Sequence, residues 1–186
     1  MEIRKYILLI CCLGSMLVVF PPMCSNVLRV PTLKMVLTEN NGNIANLDSE
    51  RKVKYQKTYK VASVQINYGD KLDIPDVGRL GIKGNIFLDY TTKMLVTKAG
   101  KFVFKISSDD GFRLKIDGHI IAEHPENRPF QLTSGTVYLD EGEHNLELTY
   151  YQGYGPMGLE AMYSREGGRT TLLGKNILGV KFKLPK

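Results

Sequence analysis

From Val61 onward the chain alternates apolar and polar residues with a period of two, and no apolar period of 3.6 is sustained past the first twenty-odd residues. Phe102, Phe104 and Ile106 alternate with Val103 and Lys105, and Phe112, Leu114 and Ile116 with Arg113, Lys115 and Asp117. Val137 and Leu139 alternate with Thr136 and Tyr138, Leu146, Leu148 and Tyr150 with Asn145, Glu147 and Thr149, and Leu159, Ala161 and Tyr163 with Glu160 and Met162. Successive side chains of a strand point to opposite faces, so this pattern specifies half-buried strands. The spacers are turn chemistry. Asp110-Gly111 and Asp117-Gly118 are dipeptides that tolerate positive φ in tight hairpins, and Glu141-Gly142 and Gly153-Tyr154-Gly155-Pro156 punctuate the later strands. Strands recurring about every ten residues predict an antiparallel sandwich or barrel. The lack of βαβ alternation argues against a nucleotide-binding sheet.

The N-terminus reads as a targeting segment. Arg4 and Lys5 precede a run from Tyr6 to Phe20 that is apolar apart from Gly14 and Ser15, and Pro21-Pro22 ends it. The run is short for a spanning helix, which needs about 20 apolar residues. Three outcomes follow for residues 1–25: cleavage near Ser25, an uncleaved membrane anchor, or lipidation at Cys24. All three cysteines, Cys11, Cys12 and Cys24, lie in this segment, so a domain starting after it folds without disulfides or thiol chemistry. The expected location is therefore secreted or in the cell envelope, with membrane contact only through the N-terminal segment.

Residues 26–60 are turn-rich and polar, and are expected to be a linker or a loosely packed N-terminal strand region; residues 61–186 are the sandwich domain. At 186 residues the chain has room for one ordinary domain, and a core of that size closes on packing. The formal net charge is +6, but the lysines are scattered, with a local density at Lys175, Lys181, Lys183 and Lys186. A nucleic-acid site needs a compact basic stripe interleaved with aromatics, and none is present. His119, Glu123 and His124 are close in sequence, but in a strand 119 and 124 face opposite ways, and His144 sits at a turn. No nucleophile–base arrangement, paired glutamates or phosphate-binding glycine loop stands out, so nothing points to an enzyme.

The run from Ala99 to Gly118, which contains Ser107-Ser108-Asp109-Asp110-Gly111 and ends in Ile116-Asp117-Gly118, resembles the signature of the PA-fourteen domain, the β-sandwich module of anthrax protective antigen, yeast flocculins, epithelial adhesins and some glycosidase inserts. Gly135-Thr136-Val137-Tyr138-Leu139, Gly142-Glu143-His144, Leu146 to Tyr151 and Gly158 to Ser164 match its later motifs in order, and the likeness spans about residues 60 to 175. The resemblance implies an all-β antiparallel sandwich. It also implies that Asp109 and Asp110, joined by a cis peptide, hold a Ca²⁺ ion that ligates sugar hydroxyls. Two neighbouring carboxylates suit an ion that takes six to eight hard oxygens. The loop that completes the ligand set in the adhesins falls at residues 151–156, where Gln152 is the only amide. Tyr151 and Tyr154 either stack on a sugar face or pack under the loop. Ser-Asp-Asp-Gly is also, by itself, a good turn. The expected ligand residues are thus Asp109, Asp110, Tyr151, Gln152 and Tyr154, in an exported carbohydrate-binding, adhesin-like module. The alternative is a metal-independent structural or protein-interaction module of the envelope.

Overall fold

The computed structural model describes residues 30–185, so the N-terminal targeting segment lies outside the described residues. The elements are all strands: β1 (Leu33–Asn40), β2 (Val53–Val61), β3 (Gln65–Gly69), β4 (Asp73–Ile74), β5 (Gly78–Arg79), β6 (Ile86–Val96) and β7 (Gly100–Asp109), followed by β8 (Phe112–Ile116), β9 (His119–His124), β10 (Gln131–Leu139), β11 (Gly142–Gln152), β12 (Met157–Arg165), β13 (Thr171–Leu172) and β14 (Val180–Lys183). Among the described residues no helix is long and apolar enough to cross a membrane.

Two antiparallel sheets face each other. The larger runs β2-β1-β6-β11-β8-β9, with β14 also paired to β6; the smaller runs β10-β7-β12-β13, with β3 also paired to β12. β1 and β14 share one edge of β6, β1 beside Ile86–Thr91 and β14 beside Lys93–Val96. Thr92 fills the joint, its buried hydroxyl donating to the carbonyls of Thr32 at 2.8 Å and Lys183 at 3.0 Å.

The alternating residues meet between the sheets. Leu88, Tyr90, Leu114, Leu148 and Tyr150 of the larger sheet and Phe102, Phe104, Ile106, Leu159 and Tyr163 of the smaller are all fully buried in one core. A second cluster sits on the outer face of the larger sheet, where Phe87 and Tyr151, paired across β6 and β11, are covered by Ile44 and Leu47 of the β1–β2 connection. The alternation therefore continues past the core because a loop, rather than a sheet, supplies the second cover.

Of residues 26–60, the described part holds one strand, the connection over residues 41–52 and most of a second strand, and the first strand is tightly packed rather than loose. β1 lies inside the larger sheet with Leu33, Met35 and Leu37 fully buried, so the sandwich begins well before residue 61. β2 is the edge strand, exposed along most of its length, and its alternation of Val53, Tyr55, Tyr59 and Val61 with polar residues is broken by Lys57.

Candidate functional site

The Asp109-Asp110-Gly111 turn is the place where the chain leaves one sheet for the other. Asp109 ends β7, opposite Gly158 of β12, while Phe112 opens β8, opposite Tyr150 of β11. The turn is therefore an inter-sheet crossover and not a hairpin. Gly111 does not adopt positive φ. It is required by space: a Cβ there would lie 2.5 Å from the His124 carbonyl oxygen and 2.5 Å from Tyr151 Cε1. By contrast Asp117 (φ 50°) and Gly118 (φ 81°) do form the left-handed hairpin turn expected between β8 and β9. The Asp109–Asp110 peptide is cis, as the resemblance implies.

Loops converge on this crossover from the same end of the sandwich. The Gly153 N–H donates to Asp110 Oδ2 at 2.8 Å, and the Gly153 carbonyl accepts from Asn85 N–H at 2.8 Å. Asn85 Oδ1 in turn accepts from the Ile44 N–H at 3.3 Å. Gly84 is forced by this closeness, since its Cβ would fall 2.0 Å from the Gly153 oxygen. Beneath the turn, Ser108 Oγ donates to the Asp110 carbonyl at 2.7 Å and accepts from Arg128 Nη2 at 2.8 Å. Arg128 is buried, lies over the Phe112 ring at 5.4 Å, and its Nε has no partner among the described residues.

The two carboxylates are only 8% and 1% exposed. Burial, then the neighbouring Asp110 charge, pushes Asp109 up to about 6, against the pull of Arg128 and the Phe130 N–H. Burial also raises Asp110, which the Gly153 and Arg128 backbone N–H groups partly hold down. Two adjacent acids that both resist ionisation mark a spot where negative charge lacks full compensation. That is the electrostatic setting a divalent cation fits. The structure offers such an ion the carboxylates of Asp109 and Asp110, and among the described residues no third His, Cys, Asp or Glu joins them. Water and ligand hydroxyls would have to supply the remaining oxygens.

The other expected ligand residues divide. Tyr151 is fully buried under the β1–β2 connection, with its hydroxyl 3.4 Å from the Ala45 carbonyl, so the packing alternative holds and it presents no face to a ligand. Gln152 is buried too, and both ends of its amide are engaged inside. Its Oε1 lies 2.6 Å from the Tyr150 hydroxyl, and its Nε2 donates to the carbonyls of Tyr154 at 3.3 Å and Pro156 at 2.9 Å. The single Tyr150 hydrogen is shared between Gln152 Oε1 and the Asp109 carbonyl at 2.5 Å, which ties the turn to the crossover. Tyr154 is 64% exposed and donates to Asn43 Oδ1 at 2.5 Å.

An aromatic pair absent from the sequence reading stands beside the carboxylates. Tyr68 (61% exposed) and Phe130 (45% exposed) meet edge-to-face at 5.6 Å over Gly158, the residue opposite Asp109. A Cβ on Gly158 would strike the Tyr68 ring at 2.8 Å. The two rings are 62 positions apart and come together only because β3 pairs with β12. An aromatic after Arg128-Pro129 was the single local hint. His119 and His124 form no shared site: Glu123 instead accepts from Arg113 Nε at 2.6 Å.

Fold and crossover together define a β-sandwich module with a carboxylate pair at its loop end. The chain belongs to the PA14 domain family, whose model matches residues 51–172. Its fold is similar to that of the PA14 domain of the MpAFP antifreeze protein (TM-score 0.65, 15% identity, covering 83% of this chain and 91% of that one). It is also similar to the PA14 sugar-binding domain of an RTX adhesin (TM-score 0.64, 18% identity, 77% and 95% covered). A third similar fold is the epithelial adhesin 9 A domain of Candida glabrata in complex with Galβ1-3GlcNAc (TM-score 0.61, 10% identity, 83% and 90% covered). No curated protein matches the chain.

Proposed function

We propose that this chain is an exported glycan-binding module, not an enzyme, and that it engages sugar at the Asp109–Asp110 end of the sandwich with a Ca²⁺ ion on the two carboxylates. The observation that carries this reading is the under-compensated acid pair, nearly buried at a loop-built end and flanked by the exposed Tyr68–Phe130 pair. A pyranose offers hydroxyls to an ion and an apolar face to a ring, and here both partners are adjacent. The sugar-binding RTX adhesin domain and the adhesin–disaccharide complex lend support through shared fold. Export rests on the residue 1–25 segment, and places the glycan on a cell surface or in the envelope.

The test is a glycan array followed by calorimetry in Ca²⁺ and in EGTA, with Asp109→Ala and Asp110→Ala as variants. Binding that needs Ca²⁺ and disappears in both variants is the expected result; a blank array in Ca²⁺ sinks it. One observation favours a second reading. Gln152 is consumed inside the turn and Asp110 already accepts a backbone N–H, as suits a metal-independent structural or protein-interaction module of the envelope. That reading predicts a melting temperature indifferent to chelation.

A further inference from the structure

Asn176 to Val180 form a two-residue hairpin ahead of β14. Ile177 and Val180 exchange backbone hydrogen bonds at 3.2 and 3.0 Å, and Asn176 Oδ1 accepts from the Phe182 N–H at 2.8 Å. Gly179 turns the chain at φ 81°. A turn pinned in this way holds its first central residue outward, and that residue is Leu178, 97% exposed. A lone exposed leucine is ordinary. This one stands among cations. The Thr97 N–H donates to the Gly179 carbonyl at 3.0 Å, which brings Lys98 beside the hairpin, and the Lys98 carbonyl accepts from Arg165 Nη1 at 2.8 Å. Lys175 precedes the hairpin. Lys181 and Lys183 follow it on the outward side of β14, because Val180 and Phe182 are buried. All four lysines are exposed, and none has a carboxylate partner among the described residues. Asp140 and Glu141, acids of this end without an ion pair, belong to the β10–β11 turn. They lie across β6, which pairs with β11 along one edge and with β14 along the other.

Two placements choose the occupant. Thr32 Oγ1 donates to the Gly174 carbonyl at 2.8 Å, so the chain enters the domain beside the residue that precedes Lys175, with Val30 74% exposed. The segment of residues 1–25 ends five positions before Val30, a reach of at most about 18 Å. The second placement is set by β6, which runs from Ile86, opposite Gln152, to Val96, opposite Val180. The hairpin therefore lies at the other end of the sandwich from the Asp109–Asp110 turn, about 33 Å away along an 11-residue strand. An apolar protein groove would take Leu178 but would strip nearby ammoniums of water without compensation. A bilayer with anionic headgroups accepts both, the leucine in its interface and the lysines among its phosphates.

We propose that the Leu178 hairpin, with Lys98, Lys175, Lys181 and Lys183, docks on an anionic bilayer surface and holds the carboxylate end away from it. The choice of a membrane rests on the reading of residues 1–25 as a segment that brings the chain to one; glycan binding is not needed for it. The chain has no tryptophan, so Leu178→Trp in the full chain reports on the hairpin tip alone. On vesicles of phosphatidylcholine and phosphatidylglycerol in EGTA, its emission should move to the blue and be quenched by brominated acyl chains. The shift should fade as salt rises and be much smaller on phosphatidylcholine alone. Adding Lys98→Gln, Lys181→Gln and Lys183→Gln together should weaken docking on the anionic vesicles about a hundredfold. Every substituted side chain is exposed, and unchanged melting temperatures confirm that the fold is intact. Sedimentation of the parent chain with phosphatidylcholine vesicles reads residues 1–25 by themselves, so a failure of that reading is told apart from a failure of the hairpin. The proposal is overturned by emission unmoved on the anionic vesicles, by an equal shift on neutral ones, by a shift that survives the lysine substitutions, or by an equal shift with a soluble poly-glutamate peptide.

Discussion

Asp109→Asn removes one charge from the buried pair while keeping an oxygen that can accept from the Phe130 N–H. In the metal-free fold Asp109 has its pKa raised from 3.8 to about 6, by burial first and by Asp110 second. Between those two pH values the folded state binds more protons than the unfolded state, so stability falls as pH rises through the window and the loss is complete above it. The shift corresponds to about 3 kcal/mol in full. The side chain still reaches solvent and faces Arg128, so screening reduces this to about 1–2 kcal/mol. In EGTA at pH 7.5 the variant should therefore unfold in urea with about 1–2 kcal/mol more stability than the parent, or melt several degrees higher. Below about pH 3, where both states largely hold the proton, the gain should all but vanish. Saturating Ca²⁺ should stabilise the parent, by about 2.7 kcal/mol at a hundredfold excess over Kd, and leave the variant unmoved. A variant that is less stable than the parent at pH 7.5 in EGTA, or a difference that does not change with pH, refutes the electrostatic account of the pair.

Other expectations follow from the same geometry. Gly111→Ala should cost about 1–3 kcal/mol in urea unfolding because the new methyl meets the His124 carbonyl and the Tyr151 ring, whereas Gly118→Asn, at an open left-handed position, should cost only a few tenths. Tyr150→Phe removes the hydroxyl shared by the Asp109 carbonyl and Gln152 Oε1 and leaves two buried acceptors unpaired, a loss of about 1–3 kcal/mol that should also weaken Ca²⁺ binding in calorimetry. His144 has Asp117 Oδ2 at 2.6 Å and the Asp140 carbonyl at 3.0 Å as acceptors for its two ring nitrogens. Burial lowers its pKa, but those hydrogen bonds and the Asp117 charge outweigh burial and raise it. Its stabilising contribution is full below the unfolded value of about 6.5 and is lost as pH rises through the higher folded value. An NMR titration should show the raised imidazole, and His144→Gln should flatten the pH dependence of stability on that side.

How much of this could be read from the residues depended on what covered each strand. β7, β8, β11 and β12 were legible because one face meets the opposing sheet and the other meets water. β6 was obscured, since Thr92 occupies a core-facing position on the strength of two backbone acceptors and Phe87 is apolar on the outer face beneath a loop. β2 carries only a weak signal, because Lys57 breaks its alternation and most of the strand is exposed at the sheet edge. The acid pair was visible as two adjacent residues, yet its meaning depended on contacts distant in sequence: Gly153 from one turn, Arg128 from another loop, and Tyr68 brought in by β3. Tyr151 shows the limit most sharply. Once Tyr150 faces the core, strand geometry turns Tyr151 outward, and from sequence alone an outward tyrosine beside a ligand loop reads as available. Whether it meets a sugar or a protein lid is decided by residues 41–52, whose Ile44 and Leu47, over a hundred positions away, close over it. The aromatic face beside the carboxylates is instead Tyr68–Phe130. The residues that surround the acid pair therefore belong to the loops and edges, where the alternating pattern is silent.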